Sequence, residues 1–261
     1  MVLESIMNPK NAEDKPAHVF FIALIYSVIS MYFANQLFPK QASLLSIALI
    51  TIVFVPFFQK LFEIEEEAED EAARGVKGNL FSRHKKIIFV FSSFFLGVTV
   101  AVAFSFIFMP KETFSLQAET LRGFSGLASG SGAFSTFFVN NSQVMLLMFI
   151  LSTMFGAGAI FILAWNASVI GVYAGNFMQA GLDKGALLYG VPLSLSSIAL
   201  HGIPEILAYF VAGLAGGILS VGIIRERFMS KEFKKIFKDS AILLFSAEFL
   251  IAIGAWLEAA F

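Results

Sequence analysis

Two ionisable side chains, His201 and Glu205, stand four positions apart in a stretch that is otherwise almost all hydrocarbon, and a third, Glu248, interrupts another apolar run. Ionisable groups at membrane depth are costly and usually face other protein or a water-filled cavity. An imidazole beside a carboxylate can satisfy its neighbour as a structural pair, hold a proton, cation or substrate, or serve hydrolysis. The structural pair leads, because buried polar groups are normally partnered. A metal site wants three protein ligands, and His201 is the one histidine placed within an apolar run, so no metal is expected. The chain has no cysteine, which excludes thiolate catalysis. A nucleophilic serine would need a base that only His201 supplies. The catalytic set is therefore empty, no cofactor is expected, and the balance is against an enzyme.

These side chains need helices to hold them. Pro204 lacks an amide proton and suits the first turn of a helix, and Gly202 permits a backbone break before it. The pattern predicts a helix starting near Ile203, with Glu205 in its first turn, where the helix dipole favours an anion, and His201 on the incoming turn within hydrogen-bond reach. The wider chain is 57% hydrophobic and 14% charged over 261 residues, too apolar for one soluble core. It reads as an all-α, polytopic membrane helical bundle forming one integral membrane domain over 1–261. A net charge of −1 offers no field for nucleic acid.

Taken in order, Val2, Leu3, Ile6 and Met7 form an apolar stripe ended by Pro9, an interfacial N-terminal segment within 1–17. Spans are expected at 18–37, 42–59, 87–109, 143–165, 204–224 and 240–260, the last carrying Glu248. Residues 60–86 read as a solvated polar loop with an acidic run followed by Arg83-His84-Lys85-Lys86. Segment 110–141 leaves the membrane, with a short amphipathic helix near 116–122. Two apolar segments, 167–180 and 186–200, are short and Gly/Pro-interrupted, the pattern of broken or re-entrant helices around a site. The loops 60–86 and 225–239 hold six Lys/Arg each, against two in 110–141, which puts those loops and the N-terminus in the cytoplasm and 110–141 outside. Parity then leaves about seven crossings, one of the two short segments crossing and the other re-entrant. Gly213 and Gly217 have the spacing of close helix contact, more suited to internal packing than to an oligomer interface, and Gly156 and Gly171 are further candidates for helix packing. Asn140, Asn141 and Asn166 read as caps or bridges at helix ends.

Phe137-Phe138-Val139-Asn140-Asn141, Gly156 and Gly158, Trp165-Asn166-Ala167 leading to Gly171, and His201-Gly202-Ile203-Pro204-Glu205 followed by a glycine-rich span together resemble the stage II sporulation protein M family. The likeness covers 137–224, its most specific part is the His-Gly element, and Ala167 stands where the family has glycine. The resemblance implies an integral membrane protein with no established catalytic activity. The family's namesake is a scaffold that localises cell-wall hydrolases during engulfment. The expectation is thus a scaffold or partner-binding component in the cell membrane, with the lipid bilayer, a second copy or another membrane protein as partner. A small transporter or channel using His201 and Glu205 is the second class and an intramembrane hydrolase the third.

Overall fold

The computed structural model describes residues 12, 14–73, 80–127, 133–183 and 187–260, with 66–73, 81, 124–127, 133 and 187–201 described as backbone only. Among the described residues there are eight α-helices, α1 (Pro16–Leu37), α2 (Ala42–Ala73), α3 (Leu80–Phe108), α4 (Ser115–Leu127), α5 (Ala133–Phe155), α6 (Ala159–Asp183), α7 (Leu187–Arg225) and α8 (Lys231–Ala260). Seven of them, all but α4, contain a stretch long and apolar enough to cross a bilayer. The expected interfacial stripe at Val2–Met7 lies outside the described residues.

Proline and glycine set the ends. Pro16 opens α1 and Pro39 follows its end. Met109-Pro110 closes α3, as expected for a residue forced out of helical conformation by the following proline. The end of α5 moved most relative to the sequence. A span was expected at 143–165, but α5 stops at Phe155 because Gly156 takes φ +63°, a left-handed conformation that glycine adopts without strain. Gly156 therefore makes a turn rather than a helix contact, and a Cβ there would meet only Gln59, at 3.7 Å. α6 consequently begins at Ala159 and absorbs 167–180 into a full-length helix. The break expected before Ile203 is likewise absent. α7 is one helix from Leu187 through Pro204 to Arg225, and its turns 187–200 belong to the second short segment, 186–200.

The helix directions follow from cross-helix pairs. Asp14–Lys86, the approach of Gly97 to the Phe20 carbonyl oxygen (2.5 Å from a built Cβ) and Thr113–Asn35 make α1 parallel to α3. Thr99 against Ala167 and Gly175 against Phe106 make α3 parallel to α6. Asn141 with Glu205 and Gly216 against Phe149 make α5 parallel to α7, while Ser240 with Ala215 and Gly222 with Ile236 make α8 antiparallel to α7. An aromatic column ties α2, α3 and α7 together: Phe58 stacks on Phe91 at 5.0 Å and Phe91 on Phe210 at 5.8 Å. Such offset stacking adds to the area these rings bury.

One end of the bundle collects charge. Arg225 pairs with Glu63 at 3.2 Å and Arg83 with Asp239 at 3.1 Å, so the regions 60–86 and 225–239 share a face. The 60–86 region is not a solvated loop throughout. α2 runs to Ala73 and α3 starts at Leu80, because the acidic run is also a good helix former, and Glu65 and His84 are buried against each other. At the N-terminal side of this end, the Lys86 ammonium beside Asp14 holds its carboxyl below the usual range. The opposite end is polar without being strongly charged. The buried Gln117 of α4 joins the Ser43 hydroxyl of α2 and donates to Ser168 of α6 at 3.2 Å, which docks α4 onto the bundle. Beside it Lys111 donates to the Phe106 carbonyl at 2.7 Å and lies 3.5 Å over the Phe106 ring; burial pulls its ammonium below the ordinary value, opposed by Asp183.

Candidate functional site

Three helices, α5, α7 and α8, meet around the carboxylates singled out in the sequence. Asn140 and Asn141 sit inside α5, two turns from its start, where they had been expected to cap or bridge a helix end. The apolar run begins before them, at Phe134, so the helix forms through them. Their amides then need partners within the bundle. Asn141 finds one: its Nδ2 donates to Glu205 Oε1 at 2.6 Å, and its Oδ1 accepts from the Tyr209 hydroxyl at 3.3 Å and from Asn140 Nδ2 at 3.3 Å. The next residue, Ser142, donates to Glu248 Oε1 at 2.8 Å. Adjacent α5 residues thus take up one carboxylate from α7 and one from α8.

Glu205 and Tyr209 are one turn apart on α7 and lie on the same face, which is why one asparagine meets both. Glu258, near the end of α8, lies within electrostatic reach of both. The His201 side chain lies outside the described residues. Gly202 is buried and Pro204 partly buried in the same helix. Asn166 is not part of this junction: its Nδ2 donates to Ile162 O at 2.8 Å within α6. Sequence reasoning missed Tyr209, Ser142 and Glu258. Tyr209 carried a signal, the four-residue spacing from Glu205; Ser142 and Glu258 carried none beyond proximity to Asn141 and to the chain end.

Glycines let α7 come close to α5 and to its other neighbours, α6 and α2. A Cβ on Gly216 would lie 2.4 Å from the Phe149 carbonyl oxygen and 2.7 Å from Ser152 Cβ. Gly213 faces Ala159 Cβ at 3.2 Å and Gly217 faces the Phe62 ring at 2.6 Å. Gly171 makes the matching approach of α6 to α3, with Val102 Cβ at 2.7 Å. Small residues of this kind let backbones pack where the surroundings are as apolar as the side chains.

Chemically, the junction is a set of carboxylates met by neutral donors. Such an arrangement can pin helices together, and it can also exchange a proton or hold a cation where water reaches it.

No curated protein and no solved structure matches the chain. The sequence model of the family described as stage II sporulation protein M matches residues 86–261, a region that includes Asn141, Glu205 and, beyond the expected reach of the likeness, Glu248 and Glu258. With more than half of its length inside that match, and with the multi-span helical bundle to go with it, the chain belongs to the stage II sporulation protein M family of integral membrane proteins.

Proposed function

We propose that this protein is a non-enzymatic membrane component that organises other envelope proteins, working by contact with a second copy or with another membrane protein. The observation that supports this reading is the way the intramembrane carboxylates are engaged. Glu205 and Glu248 are each held by a side chain of α5, and a group tied to a neighbouring helix serves to fix the bundle's shape. A scaffold needs that rigidity, since a surface presented to a partner binds better when it is already ordered.

The charged end is assigned to the cytoplasm, because both Lys/Arg-rich regions lie there and share ion pairs. In a cysteine-free chain this is direct to check. Arg227→Cys is expected to react with an impermeant maleimide only from the cytoplasmic side, and Gly123→Cys on α4, where a Cβ meets nothing within 4 Å, only from outside. The reverse pattern would invert the molecule.

A transporter is the second reading, and one observation favours it: Glu258, partly buried, stands within electrostatic reach of Glu205, so two carboxylates gather at one end of the bundle. Proteoliposomes separate the two readings. A scaffold is expected to carry no proton or cation flux above empty vesicles. Flux that Glu205→Gln or Glu248→Gln abolishes while the protein stays folded would establish transport in its place.

A further inference from the structure

Between α5 and α6 the bundle holds a cavity of about 450 Å³, within the roughly 300–1,000 Å³ of ligand pockets; it contains neither Glu205 nor Glu248 and adjoins the carboxylate junction through the Asn140–Asn141 hydrogen bond. Its origin is geometric. α5 and α6 are joined by the short 156–158 turn and share α7, yet their other main partners differ, α8 for α5 and α3 for α6. The two helices diverge from the turn, and the wedge between them is roofed by the start of α2 and by α4. The walls are apolar, from Leu44, Val144, Leu147, Phe161 and Trp165, and none of the lining residues is charged. Leu44 and Leu147 are each about half exposed, 49%, on helices long enough to cross the membrane, so the wedge opens where hydrocarbon surrounds the protein.

Three polar side chains interrupt this lining: Thr120, Asn140 and Asn166. Asn166 gives one amide hydrogen to Ile162 O and Asn140 gives one to Asn141 Oδ1, while among the described residues neither carboxamide oxygen accepts a hydrogen bond. An acceptor left open in an apolar cleft calls for a donor from whatever fills the cleft. The absence of charge in the lining excludes a phosphate or carboxylate head, which would have no counter-ion there.

We propose that this wedge is a binding site for a neutral, hydroxyl-headed lipid of the monoacylglycerol class. Its chain lies along Leu147, Phe161 and Trp165, and its hydroxyls donate to Asn140 and Asn166. The site is independent of the scaffold reading, since it uses neither Glu205 nor Glu248.

The chain has two tryptophans, Trp165 in the wedge and Trp256, which is 61% exposed on α8, so Trp256→Phe leaves a single reporter in the site. That variant, purified in micelles, is titrated with a monoacylglycerol brominated on its chain and with the methyl ester of the same brominated acid, which has no donor. Saturable quenching of Trp165 is expected, with a midpoint about tenfold lower for the glycerol ester. Adding Asn140→Leu and Asn166→Leu, with helicity and elution volume unchanged, is expected to erase the difference between the ligands. Should that double change disturb the fold, Val144→Phe fills the wedge instead and is expected to remove saturable quenching by both. Equal midpoints for the two ligands, discrimination that survives the asparagine changes, quenching that survives Val144→Phe, or no quenching at all would each overturn the proposal.

Discussion

Asn141→Leu is expected to destabilise the protein by about 1–3 kcal/mol, read as a lower midpoint of thermal unfolding in micelles, because it strands Glu205 and the Tyr209 hydroxyl at once. A hydrogen bond between membrane helices is by itself worth little, about 0.6 kcal/mol on average in measured cycles. The larger effect comes from leaving a partly buried carboxylate without its donor. The same logic predicts recovery: Asn141→Leu combined with Glu205→Leu removes both partners and is expected to regain much of the loss, giving a favourable interaction energy between neighbouring sites. Strictly additive losses would mean that the 2.6 Å contact contributes nothing specific. The cycle also bears on function, since a residue kept for transport can be replaced by an apolar one with little cost to the fold.

Gly216→Leu is expected to have the largest effect of any single change considered. A built Cβ lies 2.4 Å from a backbone oxygen of α5, so no side-chain rotation relieves the clash and the helices have to separate. Overpacking costs about 1–3 kcal/mol where side chains can give way, and more where the backbone must move. Separating α5 from α7 also opens the Asn141–Glu205 contact, so loss of a monodisperse folded species is the expected outcome. Gly123→Ala is the control: nothing lies within 4 Å of its built Cβ, and a glycine-to-alanine change within a helix favours the folded state by up to about 1 kcal/mol. Equal stability of Gly216→Leu and the parent would show that α5 and α7 do not approach as described.

Particular residues show where sequence reasoning ran short. Glu205 and Asn141 were both singled out, but not as partners of each other; the neighbour visible along the chain four residues away is His201, whose side chain lies outside the described residues. The contact with Asn141 joins positions 64 apart. The α5 boundary was misplaced because Asn140-Asn141 looks like the edge of a membrane span, whereas inside the bundle the amide of Asn141 is satisfied and the helix runs through. The buried Glu65–His84 pair was hidden in a charge run that reads as solvated.

By itself, the sequence determined the all-α membrane class, the approximate number of crossings and the gathering of positive charge in two regions. Each of these depends on the composition of contiguous windows: an apolar run of about 20 residues has few alternatives in a bilayer, and charge is a property of the segment that carries it. Only the tertiary structure decided which side chains meet. Whether α5 lies parallel to α7, whether Gly156 turns the chain and whether α5 and α6 spread into a wedge depend on close packing between distant helices. In a hydrocarbon setting that packing is chosen by the fit of small residues such as Gly216 and by a few polar contacts rather than by a hydrophobic pattern the sequence displays.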